Sequence, residues 1–223
     1  WVPRTFQWIY TTNVESTPWL YEFFYAALWR MRWFSRACRR FAGSWSGRRF
    51  RGPLADYRPD LIISTYPLGT AGLDWLRRRG ELDAPVAAVV SDFAPHPLWV
   101  APRIDMHYVM SDVSVREAHR AVPGAAVRAC APPVVSAFRP MNKAAARRSF
   151  GLPEDGFVVL VSCGSLAFGS IDRAVEVALL IPEVRRVVAV CARNEVLRDR
   201  LTERHRRTDR LVATGWVEDM PTL

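Results

Sequence analysis

The segment Ser91-Asp92-Phe93-Ala94-Pro95-His96-Pro97-Leu98-Trp99 puts a carboxylate, an imidazole and an indole within nine residues. Carboxylates and imidazoles are the usual carriers of protons in catalysis. Prolines on both sides of His96 restrict its backbone, which helps aim the ring in one direction. The same composition also fits a proline-rich connection whose His96 and Trp99 only pack. A second candidate is Ser162-Cys163-Gly164-Ser165, followed by a helix. A strand, a glycine turn and a helix N-terminus bring free N–H groups and the positive end of a dipole together, as a phosphate requires. The pattern is neither GxGxxG nor a P-loop, so a tight structural turn is an equal reading. Two further rims carry Arg193 and Asn194, and Thr214 to Pro221 with Val217 among them. Taken singly, each is an ordinary loop.

The elements that must position these loops are legible as alternating segments. Short apolar runs at Leu61–Ser64, Val86–Val90, Met106–Met110, Val127–Cys130, Phe157–Val161, Val187–Cys191 and Leu211–Ala213 read as strands. Most are continuously apolar, although His107 and Arg128 interrupt two, which is how strands covered on both faces of a parallel sheet look. Helices are predicted over Gly69–Arg79, Asp112–Ala121, Ile171–Ile181 and from Asn194 to about Arg206. This alternation is the βαβ signature of Rossmann-like sheets, whose chemistry sits at the carboxyl ends of the strands. A proline-rich break over residues 131–156 places a domain boundary near Pro140, giving domains 1–140 and 141–223. Three strands in the second sheet and no initiator Met lead to the expectation that both domains are incomplete.

Residues 1–58 read differently. They hold ten arginines against three acidic residues, and six of the nine tryptophans. A helix opens at Thr17-Pro18, a second stretch Arg30–Phe41 ends at Gly43, and residues 44–53 read as an exposed loop. Trp19, Trp29, Arg30, Arg32 and Trp33 are the candidate membrane-facing residues, since indoles settle at a lipid headgroup layer and guanidiniums pair with phosphate. Two core helices with a solvated arginine face are the alternative. The apolar stretch Trp19–Trp29 is too short to cross a bilayer.

Composition excludes several classes. The net charge of +9 invites anionic partners, but no nucleic-acid reading motif accompanies it. The four cysteines are far apart and lack histidines at ligand spacing, so no metal site is predicted; they read as buried thiols of a reducing compartment.

In order, RPDLIISTYPL (58–68), VSDFAPHPLW (90–99), DMHYVMS (105–111), APPVVSAF (131–138), FGLPEDGFVVLVSCGS (150–165), VCARNEVLRDRL (190–201) and GWVEDMPTL (215–223) resemble the monogalactosyldiacylglycerol synthase and processive diacylglycerol glycosyltransferase family. The resemblance implies an α/β GT-B fold, two Rossmann-like domains with parallel sheets facing a cleft. It implies transfer of a hexosyl group from a UDP-sugar to a lipid acceptor such as diacylglycerol, without a metal or other cofactor, on the inner face of the cell membrane. Asp92 and His96 would then be catalytic on the acceptor side, with Trp99 beside them. Gly164 and Ser165 would face the donor phosphates, Arg193 and Asn194 would line the donor side, and the Val217 backbone would meet the uracil.

The chain also departs from the family. The family's catalytic-histidine loop would precede Trp1, and its glycine-rich donor loop would follow Leu223. Family glycines are replaced at Ala131 and Ala192, and Leu166-Ala167-Phe168 is bulkier than the usual turn. A non-catalytic membrane-surface module, or a GT-B enzyme with a non-lipid acceptor, are the alternatives.

Overall fold

A computed structural model describes residues 17–162, 164 and 169–223. In chain order the elements are α1 (Pro18–Arg30), α2 (Arg32–Tyr57), β1 (Ile62–Ser64), α3 (Pro67–Arg78), β2 (Val86–Val90), β3 (Met106–Val109), α4 (Asp112–Ala121), β4 (Val127–Ala129), α5 (Lys143–Ser149), β5 (Phe157–Ser162), α6 (Ile171–Leu180), β6 (Val184–Val190), α7 (Glu195–Arg204) and β7 (Leu211–Thr214). The chain divides into two compact units that meet in sequence at Pro133 and Val134.

In the first unit the strands run in the order β1-β2-β3-β4, all parallel. Val86 and Ala88 of β2 point into a cluster with Leu73, Trp75 and Leu76 of α3. Val90 and Val109 join Ala118 of α4 and Trp99 in a second cluster. Packing of α3 and α4 against this sheet is why β2 reads as an unbroken apolar run. The second unit has a separate parallel sheet, β5-β6-β7, whose core joins Ile171 and Val175 of α6, Val187 and Ala189 of β6, and Leu197 and Leu201 of α7. Asn194 caps α7 as its sequence position predicts, accepting the Leu197 N–H at 3.0 Å, and Asn142 caps α5 in the same way, accepting the Ala145 N–H at 2.9 Å.

The predicted loop over residues 44–53 is a correction. The structure continues one helix through it, from Arg32 to Tyr57. Glycines there favour a break only when local propensity decides. Here they admit a neighbour. A Cβ on Gly43 would sit 2.7 Å from the Ala71 carbonyl oxygen, and one on Gly47 would sit 2.5 Å from the Trp75 ring. Between them Ser46 is buried, and its hydroxyl donates to the carbonyls of Ala42 (2.7 Å) or Leu68 (2.8 Å). Small side chains on one face of α2 thus let α3 approach closely, and that tertiary contact holds the helix.

His107, the polar residue that interrupts the β3 run, is fully buried. Its Nε2 accepts the Ala101 N–H at 3.2 Å, so the proton sits on Nδ1, which donates to the Ala126 carbonyl at 3.0 Å. Burial pushes its pKa below the ordinary histidine value, with the Ala126 bond and Asp74 opposing. The folded state therefore keeps His107 neutral while the unfolded chain charges it near pH 6.5. The stabilisation is present above that value and is lost as pH falls below it. The urea midpoint is expected to fall from about pH 7.5 to about pH 5.5, and His107→Gln is expected to be less stable at the higher pH but to show a flatter profile. An equally steep profile in the variant would contradict this account.

Asp105 secures the start of the same sheet. Its carboxylate accepts the Val86 N–H at 2.6 Å and two guanidinium bonds from Arg77 at 2.6 and 3.2 Å, which ties β2, β3 and α3 together.

Candidate active site

The carboxyl end of the first sheet gathers residues from three segments. Asp92, His96 and Trp99 lie on the connection after β2, Tyr66 follows β1, and Tyr25 comes from α1. The connection is anchored by Ser114 at the start of α4, whose hydroxyl donates to the Phe93 carbonyl at 2.7 Å. Trp99 donates its indole N–H to Asp92 Oδ2 at 2.6 Å. The sequence reading set Trp99 beside the acceptor and membrane residues; at 4% exposure it works from the core side, packed in the cluster of Val90 and Val109, and fixes the carboxylate.

His96 is half-buried. Its Nδ1 accepts the Leu98 N–H at 3.2 Å, a bond made within the turn that Pro95 and Pro97 impose. The ring proton of the neutral form therefore lies on Nε2. Burial lowers the His96 pKa, and the charge of Asp92 works against that shift. His96 as held here is a hydrogen-bond donor through Nε2, and Asp92 Oδ1 is the oxygen left to accept a proton. The catalytic pair read from sequence thus separates into a donor and an acceptor. Tyr25 meets the His96 ring edge to face at 5.5 Å, and Tyr66 meets Trp99 at 6.4 Å. Neither tyrosine was singled out in the sequence. They lie far from residues 91–99 in the chain, and only the sheet topology brings them there.

In the second unit, Gly164 follows β5 with φ +70°, a conformation glycine adopts freely. Ser165 lies outside the described residues. The first turn of α6 contains Asp172, which is paired with Arg200 of α7 at 2.7 Å. Beyond β6, Ala192 takes φ +48°, the left-handed region. This is one of the two positions where the resemblance leads one to expect a glycine, and the backbone takes a conformation that glycine adopts freely. An alanine there is strained by about 1 kcal/mol. Ala192→Gly is therefore expected to raise the unfolding midpoint, by up to about 1 kcal/mol in stability, measured by urea titration. A lowered midpoint would show that the Cβ, which is buried, contributes more by packing than it costs in strain.

Next in the chain, the Arg193 guanidinium lies 5.2 Å from the centre of the Trp216 ring, and Trp216 is 51% exposed. Asn194 spends its side-chain oxygen on capping α7. The Val217 side chain packs against Leu152, Val188 and Val190, while among the described residues neither its N–H nor its carbonyl has a hydrogen-bond partner. A cation, an indole plane and an open peptide edge therefore meet at the rim of this sheet. Trp216 was missed in the sequence; its place directly after a predicted strand was the signal available.

The amino-terminal helices expose apolar surface. Trp19 and Phe23 on α1 are about two-thirds exposed. On α2, Trp33, Phe41 and Trp45 are exposed at four- and eight-residue spacing and so form one stripe. Arg30 and Arg32 are exposed beside them, whereas Trp29 is half-buried. No described helix is long and apolar enough to cross a membrane. Among the described residues no group of His, Cys, Asp and Glu could hold a metal ion. Cys191 is buried, and Cys38 and Cys130 are partly so.

Residues 1–134 match the family described as monogalactosyldiacylglycerol (MGDG) synthase. Processive diacylglycerol beta-glucosyltransferases from Bacillus mycoides (strain KBAB4) and Bacillus cereus (strain G9842) are 25% and 24% identical, over 96% and 92% of the chain. The chain spans about half the length of these curated relatives, 54% and 52%. A sucrose-phosphate synthase from Thermosynechococcus elongatus superposes with a TM-score of 0.57 at 17% identity, over 78% of this chain and 49% of that one. That likeness gives the fold class, α/β of the GT-B kind.

Proposed function

The chain belongs to the monogalactosyldiacylglycerol synthase family, and from that premise we propose that it is part of a glycosyltransferase moving a hexosyl group from a UDP-sugar to a lipid acceptor such as diacylglycerol. The observation that carries this reading is the family match across the unit that holds Asp92, His96 and Trp99 at the end of its sheet. Acceptor chemistry belongs to that unit. Asp92, oriented through Oδ2 by Trp99, accepts the proton of the acceptor hydroxyl on Oδ1. The hydroxyl oxygen forms its bond to the anomeric carbon as the bond to UDP breaks, and UDP leaves with the electron pair. His96 donates through Nε2 and holds an oxygen of the reacting groups in place.

Donor binding belongs to the second unit. Arg193 offers a guanidinium to the diphosphate, Gly164 and Ser165 offer backbone and hydroxyl donors, and the open N–H and carbonyl of Val217 suit a uracil edge. Asn194 acts mainly by capping α7. The reading needs no cofactor beyond the UDP-sugar as co-substrate.

The acceptor dissolves in a membrane, and the exposed stripe of Trp33, Phe41 and Trp45 with Trp19 and Phe23 supports peripheral docking there. Arg30 and Arg32 favour an anionic surface.

Acceptor-dependent release of UDP tests the reading. With the full-length protein, UDP-glucose or UDP-galactose is expected to give free UDP only when diacylglycerol vesicles are present. Release that is indifferent to every lipid acceptor would overturn it.

A further inference from the structure

The inward side of α1 rests on the connection that carries the site. Ala27 and Leu28 are buried, and Phe24 meets Phe34 of α2 edge to face at 5.4 Å, which seats the helix against its neighbour. Tyr25, Leu28 and Trp29 stand three and four residues apart and so share one face of α1. That face meets the residues around His96. Tyr25 packs edge to face with the His96 ring at 5.5 Å, and Leu28 and Trp29 line a hollow of about 430 Å³ together with Pro97.

Transfer as read above needs His96 to offer Nε2 in one direction, and few groups fix its ring. Pro95 and Pro97 restrict the backbone but leave the side-chain torsions of His96 to their ordinary rotamers. Among the described residues the ring makes one hydrogen bond, Nδ1 accepting the Leu98 N–H at 3.2 Å. A single bond of that length leaves the ring able to tilt about it. The Trp99 ring lies 6.4 Å away and tilted by 46°, a looser contact than Tyr25 makes. The closer brace on the imidazole therefore comes from a distant part of the chain.

We propose that Tyr25 is a positioning residue of the transfer reaction: its ring holds the His96 imidazole with Nε2 presented to the reacting groups, so that α1 forms part of the acceptor site. This rests on the function proposed above. An edge-to-face pair is directional, because the rim of one ring is positive and the face of the other negative, so it sets an orientation as well as filling space. A leucine would fill the space alone.

The test measures kcat and KM of full-length proteins with a UDP-hexose and diacylglycerol vesicles, normalised to folded protein by thermal unfolding. Tyr25→Leu is expected to lower kcat by about three- to tenfold, the range of one aromatic pair, and to leave the KM for the UDP-sugar within about twofold. Tyr25→Phe keeps the ring and is expected to keep the wild-type kcat. Phe24→Leu removes a pair of the same kind between α1 and α2, and a kcat close to wild type is expected from it. In a His96→Gln background the Tyr25→Leu change is expected to add nothing, since a residue that acts through His96 then has no ring to orient.

Equal losses from Tyr25→Leu and Phe24→Leu would make Tyr25 a packing residue of α1 and overturn the proposal. A Tyr25→Leu loss that persists in full beside His96→Gln, or a Tyr25→Phe enzyme as slow as Tyr25→Leu, would overturn it as well. Wild-type transfer that Tyr25→Leu leaves intact would overturn the proposal alone, whereas a wild type that transfers no sugar to lipid would overturn the proposed function and this inference with it.

Discussion

Asp92→Asn is expected to lower lipid-dependent sugar transfer by about 10²- to 10⁴-fold, with little change in the KM for the UDP-sugar. Asparagine keeps the bond from the Trp99 indole, because its carbonyl can accept where Oδ2 does, so the connection after β2 stays in place. What is removed is the capacity to take a proton. Trp99→Phe is the complementary change: it leaves the carboxylate and removes its orientation. Because Trp99 is also part of the core, the ring must be kept aromatic for the comparison to be clean. A smaller loss is expected from Trp99→Phe than from Asp92→Asn. Transfer assays with purified full-length variants, normalised to folded protein, decide the order. An Asp92→Asn enzyme with near wild-type turnover would remove the carboxylate from the chemistry.

Gly47→Ala and Gly52→Ala are expected to change stability in opposite directions, although both lie in α2. Alanine is the better helix former by about 1 kcal/mol. At Gly52 a Cβ meets nothing within 4 Å, so that gain is kept. At Gly47 the Cβ would meet the Trp75 ring at 2.5 Å and the Gly72 carbonyl oxygen at 3.0 Å. Both belong to α3, and neither is the free end of a flexible chain. Overpacking of this kind costs about 1–3 kcal/mol, which outweighs the helix gain. Urea midpoints of the two variants therefore bracket wild type. If Gly47→Ala were stabilising, α2 and α3 would not be in close contact, and the helix through residues 44–53 would need another explanation.

These two glycines show where the sequence was legible and where it was not. The strands were readable because most of them are apolar runs, the buried positions of β2 and β6 most clearly, and the order of runs and amphipathic segments implies a parallel sheet. The caps at Asn142 and Asn194 were readable because capping is local. Residues 44–53 were not, since Gly, Ser and Pro weaken a helix by local propensity while the contact that holds it lies with Ala71, Gly72 and Trp75, more than twenty residues on.

The candidate site divides the same way. Asp92, His96 and Trp99 are close in sequence, and their shared place at the end of β2 followed from the strand pattern. Their distinct roles did not, because these depend on which atom each hydrogen bond occupies: Oδ2 of Asp92 by Trp99, and Nδ1 of His96 by Leu98. Tyr25 and Tyr66 could be found only from the fold. Ala192 stood where the resemblance leads one to expect a glycine, and its left-handed backbone is the conformation that glycine adopts freely.

The most direct measurement is the mass of the lipid product. Full-length protein is incubated with a UDP-hexose and diacylglycerol vesicles, and the extracted lipid is analysed by mass spectrometry beside the Asp92→Asn reaction. The account predicts diacylglycerol heavier by one or more hexose units in the wild-type extract and nearly none in the variant. Unmodified lipid with every UDP-hexose, or equal product from both proteins, would contradict it.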